Sequence, residues 1–108
     1  MKKKADVPQG TMDMLILQSL VSEPMHGYGI TRRLEQITGG VFQVNPGTLF
    51  PSLYRLGEEG LIRGSWGLSA TNRRARYYRL TRAGRKQLER ERERWDVVSV
   101  AIRQVLEA

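Results

Sequence analysis

Residues 45–56 of this chain, Asn-Pro-Gly-Thr-Leu-Phe-Pro-Ser-Leu-Tyr-Arg-Leu, predict the helix around which the fold is organised. Asn45 is a favourable N-cap, and Pro46 suits the first helical position because the backbone needs no donor there. The apolar residues recur at helical spacing and predict one buried stripe, which consists of Leu49, Leu53 and Leu56. Pro51 lies one turn inside the helix, where it removes a backbone hydrogen bond.

The face opposite this stripe is short-chained, polar and cationic. At about 100° per residue it carries Gly47, Thr48, Pro51 and Arg55, with Tyr54 at its edge. Such a face suits a helix that lies in a groove of a charged polymer. An ordinary amphipathic helix has the same pattern, so the rest of the chain has to distinguish the two.

The composition indicates one small basic domain. The 108 residues are enough for a single hydrophobic core, and 18 Lys and Arg against 11 Asp and Glu give a net charge of +7. That charge favours a polyanionic partner, which is DNA, RNA or an anionic membrane surface. No apolar run is long enough to span a bilayer, and no signal peptide is visible. We therefore expect a cytoplasmic protein.

The residue types that carry most catalytic and metal chemistry are scarce. Cysteine is absent, which excludes disulfides, thiolate zinc sites and cysteine nucleophiles. His26 is the only histidine, and with no ligand set around it we expect a turn or packing residue. Neither a phosphate-binding glycine loop nor a pairing of histidine with a carboxylate is present. We expect no enzyme, no cofactor and no metal site.

The basic residues are concentrated in the segment 63–86, which has eight Lys and Arg and no Asp or Glu. Such a block would repel itself unless a polyanion faced it. This distribution favours nucleic acid over a merely solvated surface.

The order of the patterns predicts three helices, a two-stranded hairpin and a long final helix. We expect the first helix to begin near Thr11, and the second to run to about residue 38 with Ile37 facing inward. Strands at residues 61–66 and 75–80 flank a polar loop. Thr81 then caps the final helix.

This order is that of a mainly α fold with a small β-hairpin, a winged helix-turn-helix with an added dimerisation helix. We divide the chain into a flexible N-terminal arm at residues 1–10, a winged helix-turn-helix domain at residues 11–80 and a dimerisation helix at residues 81–108. The final helix, about 40 Å long, exceeds what a domain of this size needs for its own core. Its heptad-like seam predicts a surface for a partner chain and consists of Leu88, Trp95, Val98, Ile102 and Val105.

Several motifs resemble the PadR family of transcriptional regulators, in the order in which the family has them. Residues 8–17 (PQGTMDMLIL) and 24–30 (PMHGYGI) resemble its opening segment. Residues 47–56 (GTLFPSLYRL) resemble its recognition helix, and residues 60–62 (GLI) resemble the entry to its wing. Residues 76–84 (RYYRLTRAG) resemble its second wing strand and the start of its last helix.

The resemblance implies a homodimeric DNA-binding transcription factor, usually a repressor and often released by a small molecule. The short C-terminal part is similar to the branch of the family with a single dimerisation helix. In relatives with a tryptophan on this helix, paired indoles sandwich flat aromatic ligands, so Trp95 is a candidate for binding an aromatic effector as well as for packing. Phe50 stands where the family commonly has tyrosine, and we expect it to pack.

The candidate DNA-binding residues come from the predicted recognition helix, the wing and the start of the second helix. Arg55 either makes a bidentate contact with guanine or holds a phosphate, and the sequence does not decide which. Wing arginines track phosphates or enter the minor groove. Trp66 is expected to be a packing residue. The predicted DNA-binding set is Tyr28, Thr48, Ser52, Tyr54, Arg55, Arg63, Asn72, Arg73, Arg74 and Arg76.

Two other classes of function remain open at this point. An RNA- or ribosome-associated winged helix would stack unpaired bases on exposed aromatic residues, and Tyr77 and Tyr78 are the candidates. A protein-interaction module would use the long helix and leave the basic face without a role.

Overall fold

The leucine stripe of residues 45–56 lies at the centre of the core, in a computed structural model that describes residues 3–8 and 10–108. The described helices are α1 (Met12–Ser19), α2 (Gly27–Ile37), α3 (Pro46–Glu58) and α4 (Arg82–Leu106). The described strands are β1 (Ala5–Asp6), β2 (Phe42–Gln43), β3 (Ile62–Leu68) and β4 (Arg74–Leu80). This order confirms the predicted mainly α winged helix-turn-helix with a long C-terminal helix.

α3 begins and packs as its sequence predicts. Oδ1 of Asn45 accepts a hydrogen bond of 2.8 Å from the backbone N–H of Gly47, and Pro46 occupies the first turn. The three leucines of the stripe are almost completely buried. Because Pro51 has no backbone N–H, the carbonyl of Gly47, four residues earlier, receives no helical hydrogen bond. Both residues are exposed, so solvent can satisfy that carbonyl.

α1 and α2 pack against α3 and complete the core with Ile16, Leu17 and Ile30. His26 caps α2, since its Nδ1 accepts a hydrogen bond of 3.0 Å from the backbone N–H of Gly29. The prediction that Ile37 faces inward is wrong. This side chain is 68% exposed because it ends α2, beyond the part of the helix that the core covers.

Part of the predicted N-terminal arm is held to the domain. β1 pairs in parallel with β2, and the backbone N–H of Ala5 donates to the carbonyl of Val41 at 2.7 Å. Val7 packs against the core. Residues 5–7 of the predicted arm therefore contact the domain in this structure. Residues 1, 2 and 9 of that predicted arm lie outside the described residues.

β3 and β4 form the antiparallel wing, and both extend further than the predicted strands. The register pairs Ile62 with Leu80 at the base and Leu68 with Arg74 at the tip. The connecting turn is consequently short, and Asn72 closes it with a positive φ of 61°. Arg74 therefore belongs to a strand and not to the loop.

The base of the wing is anchored to the segment before α2. The backbone of Met25 donates to the carbonyl of Tyr78 at 3.1 Å and accepts from its N–H at 2.9 Å. This bridge gives the hairpin the support that an isolated two-stranded ribbon lacks.

α4 starts beside the base of the wing and packs its first turns on the core. Oγ1 of Thr81 accepts from the backbone N–H of Gly84 at 3.0 Å, so Thr81 caps the helix as predicted. A Cβ atom at Gly84 would collide with the carbonyl of Leu61, so this position requires glycine. The prediction that Leu88 belongs to a dimer seam is wrong, because this residue is 5% exposed within the core of its own chain.

Candidate nucleic-acid interface

The outward face of α3 presents polar side chains in separate places. Thr48 is exposed in the first turn and borders a small recess beside Asp6 and Gln43. Tyr54 is exposed two turns later, and the carboxylate of Glu58 raises the pKa of its phenol through a hydrogen bond. Thr48 and Tyr54 are therefore accessible, as predicted for residues that face a ligand.

Ser52 does not belong to this face. It is 9% exposed, and its hydroxyl donates a hydrogen bond of 2.9 Å to the carbonyl of Thr48 within the same helix. Ser52 lies three residues after Leu49 and four before Leu56, which places it beside the buried stripe. The prediction that it contacts DNA is corrected accordingly.

Arg55 is paired with two carboxylates. Its Nη2 donates to Oδ1 of Asp13 in α1 at 2.6 Å, and its Nη1 donates to Oε1 of Glu59 at 3.0 Å. The hydrogen bond to Asp13 is the main cause that raises the pKa of Arg55 above its usual value, so the guanidinium remains charged. Arg55 is the only cation of α3, and in this arrangement it ties α3 to α1.

The two faces of the wing differ in character. Residues directly opposite each other in an antiparallel pair lie on the same face. The face that begins with buried Ile62 continues towards the tip with Gly64, Trp66, Leu68, Arg74, Arg76 and Tyr78. The opposite face carries Arg63 and Arg79. Two of the wing arginines thus project from the same side as the core.

Trp66 lies next to these two arginines and does not pack in the core. It is 58% exposed, and the Cζ atoms of Arg74 and Arg76 lie 4.6 Å and 5.7 Å from its ring centroid. These are distances for cation–π contacts. The expectation that Trp66 is a packing residue is therefore wrong.

An open cleft of about 560 Å³ brings the start of α2, α3 and the wing together. Exposed Tyr28 of α2 borders it on one side, and Phe50 of α3 forms part of its floor. Phe50 packs against Gly27, where a Cβ atom would be 2.7 Å from the phenyl ring. The residues that line the cleft include no Asp or Glu and four arginines, which are Arg32, Arg73, Arg74 and Arg76. We call this region the arginine cleft.

The structure thus brings some of the predicted DNA-binding residues together and places the others elsewhere. Tyr28, Arg73, Arg74 and Arg76 share the arginine cleft. A second cleft of about 580 Å³ lies between α3 and the base of the wing, and its lining includes Tyr54, Glu58 and Arg63. Asn72 lies at the wing tip. Arg32 is a cation of the arginine cleft that the sequence analysis did not include.

The candidate residues for stacking RNA bases are occupied by contacts within the domain. The hydroxyl of Tyr77 donates to the carbonyl of Leu68 at 3.0 Å, and its ring lies edge-on to His26 with centroids 5.2 Å apart. Tyr78 packs against the core. Both rings are partly buried and make contacts within the domain, which disfavours the RNA hypothesis.

The second half of α4 exposes an apolar surface to solvent. Trp95 is 41% exposed, so most of the predicted seam lies on the surface and only Leu88 is buried. A patch near the end of the helix consists entirely of apolar residues, which are Val97, Val98, Ala101, Ile102, Val105 and Leu106. We call Trp95 together with this patch the α4 surface.

Two further properties concern residues 3–8 and 10–108 only. In that part of the chain, no group of three or more His, Cys, Asp or Glu side chains is arranged to hold a metal ion. None of its helices combines the length and the apolar character that a membrane crossing needs.

The fold and the basic cleft define a winged helix-turn-helix transcriptional regulator. Residues 16–90 match the family described as "Transcriptional regulator PadR-like family", and the chain belongs to this family. The family and the solved structures that resemble this chain are transcriptional regulators and not enzymes. The resemblance that the sequence motifs predict is therefore confirmed.

The chain is similar to several regulators of known sequence or structure. It is 35% identical to the transcriptional regulator Rv3488 of Mycobacterium tuberculosis over 71% of this chain and 68% of that protein. A transcriptional regulator from Clostridium thermocellum superimposes with a TM-score of 0.82 at 28% identity, over 89% of this chain and 93% of that one. A PadR-like transcriptional regulator from Bacillus cereus has a TM-score of 0.76 at 28% identity, with 93% and 95% covered. The chain spans 91%, 21% and 44% of the lengths of three further relatives.

Proposed function

We propose that the protein is a homodimeric repressor that binds a pseudo-palindromic site in double-stranded DNA. The observation that carries this proposal is the arginine cleft, in which α2 and the wing direct four arginines and no carboxylate to one open surface. A surface of this charge attracts the phosphate backbone and releases its counterions. It adjoins the outward face of α3, which is the helix that enters the major groove in this class of fold.

The proposal assigns different tasks to the predicted residues. Thr48 and Tyr54 on the outward face of α3 contact base edges or the adjacent backbone. Tyr28 and the arginines of the cleft hold phosphates and fix the orientation of the domain on the duplex. Asn72 at the wing tip contacts the DNA backbone. Arg55 is paired with Asp13 and Glu59, so its main role is to hold α3 in place, and its remaining N–H groups are available to DNA.

The α4 surface supports the homodimer. Exposed apolar patches of this kind mark interaction sites, and the heptad-like spacing of Trp95 and Ile102 suits a helix-to-helix seam. A two-fold axis through this seam would present two winged domains to one duplex. Half-sites about 10 base pairs apart, or a multiple of that, would follow from this symmetry.

Selection of bound genomic fragments by the purified protein tests the DNA-binding part of the proposal. We expect an inverted repeat among the recovered fragments and repression of a reporter placed behind that repeat. The matched control is the triple variant Arg73→Ala, Arg74→Ala, Arg76→Ala, which should recover no enriched sequence. Recovery of fragments without a common motif, or preference for single-stranded RNA over duplex DNA in competition, would refute the proposal.

A small aromatic effector bound at Trp95 is the remaining part of the proposal, and its support is the resemblance together with the exposure of the indole. Trp66→Phe leaves Trp95 as the only tryptophan, so its fluorescence reports directly on this site. Quenching by planar aromatic compounds, together with loss of operator binding, is the expected result. Fluorescence that does not respond to such compounds would remove Trp95 as an effector site.

A further inference from the structure

Trp66 is a large aromatic residue that the proposed function leaves without a task. More than half of its surface is exposed, although it lies on the face of the wing that is continuous with the core. Because the exposed indole is not part of the core, the reason for a tryptophan at this position must come from the residues around it.

The two guanidinium groups next to Trp66 provide that explanation. Arg76 is its direct partner across the hairpin, and Arg74 is the next residue on the same face of β4. Their Cζ atoms lie 5.7 Å and 4.6 Å from the ring centroid. Two neighbouring cations repel each other, whereas the electron-rich indole attracts both.

Gly64 contributes the space that this arrangement needs. It precedes Trp66 on the same face of β3, and a Cβ atom there would be 2.5 Å from Nε of Arg76. The guanidinium of Arg76 therefore lies close over the strand backbone, with its position limited by Gly64 on one side and Trp66 on the other. Stacking leaves the edge N–H groups of a guanidinium free to bind a phosphate.

We propose that Trp66 is a positioning residue for DNA binding, which makes cation–π contacts with Arg74 and Arg76 and presents the two guanidinium groups as one clamp for backbone phosphates of duplex DNA. The clamp lies at the arginine cleft, so this inference rests on the proposed function and deepens it. Side chains that are ordered before binding lose less conformational entropy when the complex forms. Trp66 acts through the arginines and contributes no charge of its own.

The test is a double-mutant cycle on a duplex of random sequence, because phosphate contacts do not depend on the operator. Trp66→Ala in the otherwise unchanged protein should weaken binding about 3- to 10-fold at low salt. The same substitution added to the pair Arg74→Ala, Arg76→Ala should cause no further loss. Trp66→Tyr, which retains an aromatic face, should restore most of the affinity.

The control for lost apolar surface is Leu68→Ala. Leu68 lies two residues further on the same face, is 67% exposed and offers no aromatic ring. Its truncation should leave binding unchanged. Thermal unfolding of both variants should match that of the unmodified protein, because both side chains lie outside the core.

Two results would overturn the inference. An equal loss from Trp66→Ala with and without the two arginines would show that the indole acts independently of them. Unchanged binding of Trp66→Ala, while the unmodified protein binds duplex DNA, would refute the clamp and leave the proposed function intact. Failure of the unmodified protein to bind any duplex would instead refute the proposed function itself.

Discussion

At the level of a single residue, Arg55 pairs with carboxylates of its own chain, although the sequence analysis predicts that it contacts DNA. Its helix position predicts an outward cation, and the side chain is indeed about half exposed. Asp13, which is distant in sequence, meets it from α1 and forms the shorter of its two ion pairs. Exposed pairs stabilise a fold only weakly, but this one connects two helices.

A double-mutant cycle of Asp13→Ala and Arg55→Ala should give a coupling free energy of about 0.5–1 kcal/mol in urea unfolding, the range of a solvent-screened surface pair. The pair of Arg55 with Glu59 lies within one helical segment and should give a smaller coupling of about 0.3–0.5 kcal/mol. Purely additive effects of Asp13→Ala and Arg55→Ala would show that the contact does not stabilise the fold.

Gly84 illustrates a residue whose role only packing reveals. Alanine is favoured over glycine in a helix by about 1 kcal/mol, so Gly84→Ala should stabilise α4 if local propensity decided the outcome. Because the added Cβ would collide with the carbonyl of Leu61, we expect the free energy of unfolding to fall by about 1–3 kcal/mol instead.

The matched control is Gly57→Ala in α3, where a Cβ atom would meet nothing within 4 Å. This substitution should raise the free energy of unfolding by about 0.5–1 kcal/mol. Chemical denaturation of both variants measures the difference. A stabilised Gly84→Ala would contradict the close approach of α4 to Leu61.

At the scale of an element, the wing separates arginines that are alike in sequence. The acid-free block of residues 63–86 predicts a nucleic-acid surface but does not indicate which of its arginines face the nucleic acid. The strand register does, because it places Arg74 and Arg76 on the face of the cleft and Arg79 on the opposite face. The charge composition therefore predicts the kind of partner, and the alternation of side chains along the strand predicts which arginines face it.

Arg74→Ala should lower the steepness of the dependence of log affinity on log salt by about 0.9, the value for one lost phosphate contact. Arg79→Ala removes the same charge from the face that points away from the cleft and should change the slope much less. Fluorescence anisotropy of a labelled duplex over a series of salt concentrations measures both. Equal changes in the two variants would show that the faces of the wing are not distinguished by DNA.

α3 is the element for which the sequence was most informative. The N-cap, the proline at the start and the leucine stripe are local features, and each is found as predicted. Ser52 was assigned to the wrong face because the predicted stripe was drawn too narrowly. Its spacing from Leu49 and Leu56 carries the signal that could have placed it in the core.

At the scale of the whole molecule, α4 joins one domain to its proposed partner. Leu88, Trp95 and Ile102 are spaced by sevens, but residues 89–94 between the first two are all charged, and the two ends of this seam have different surroundings. α1 packs against α4 and Leu88 joins the core, whereas the described core includes no residue from Trp95 onwards. The length of α4 therefore determines how much of the seam is left for a second chain.

Ile102→Glu should convert the proposed dimer into a monomer of 12.4 kDa, because a charge within a buried seam costs several kcal/mol. Val100→Glu is the matched control, since Val100 is outside the apolar patch and lies on the opposite side of the helix. Light scattering coupled to size exclusion distinguishes the two masses. A monomeric unmodified protein, or a dimer that tolerates Ile102→Glu, would refute a seam on the α4 surface.

The amino-acid sequence was sufficient to predict the order of the elements, the caps of α3 and α4, the apolar stripe, the family and the basic character of the surface proposed to face DNA. These features depend on local propensity, periodicity and net charge, which a linear chain displays directly. Three outcomes become visible only in the folded chain: Asp13 pairs with Arg55, Ser52 and Leu88 are buried, and Trp66 lies next to two arginines. Each of these outcomes depends on a contact between segments distant in sequence or on the register of a hairpin, and neither is fixed by the spacing of residues along one element.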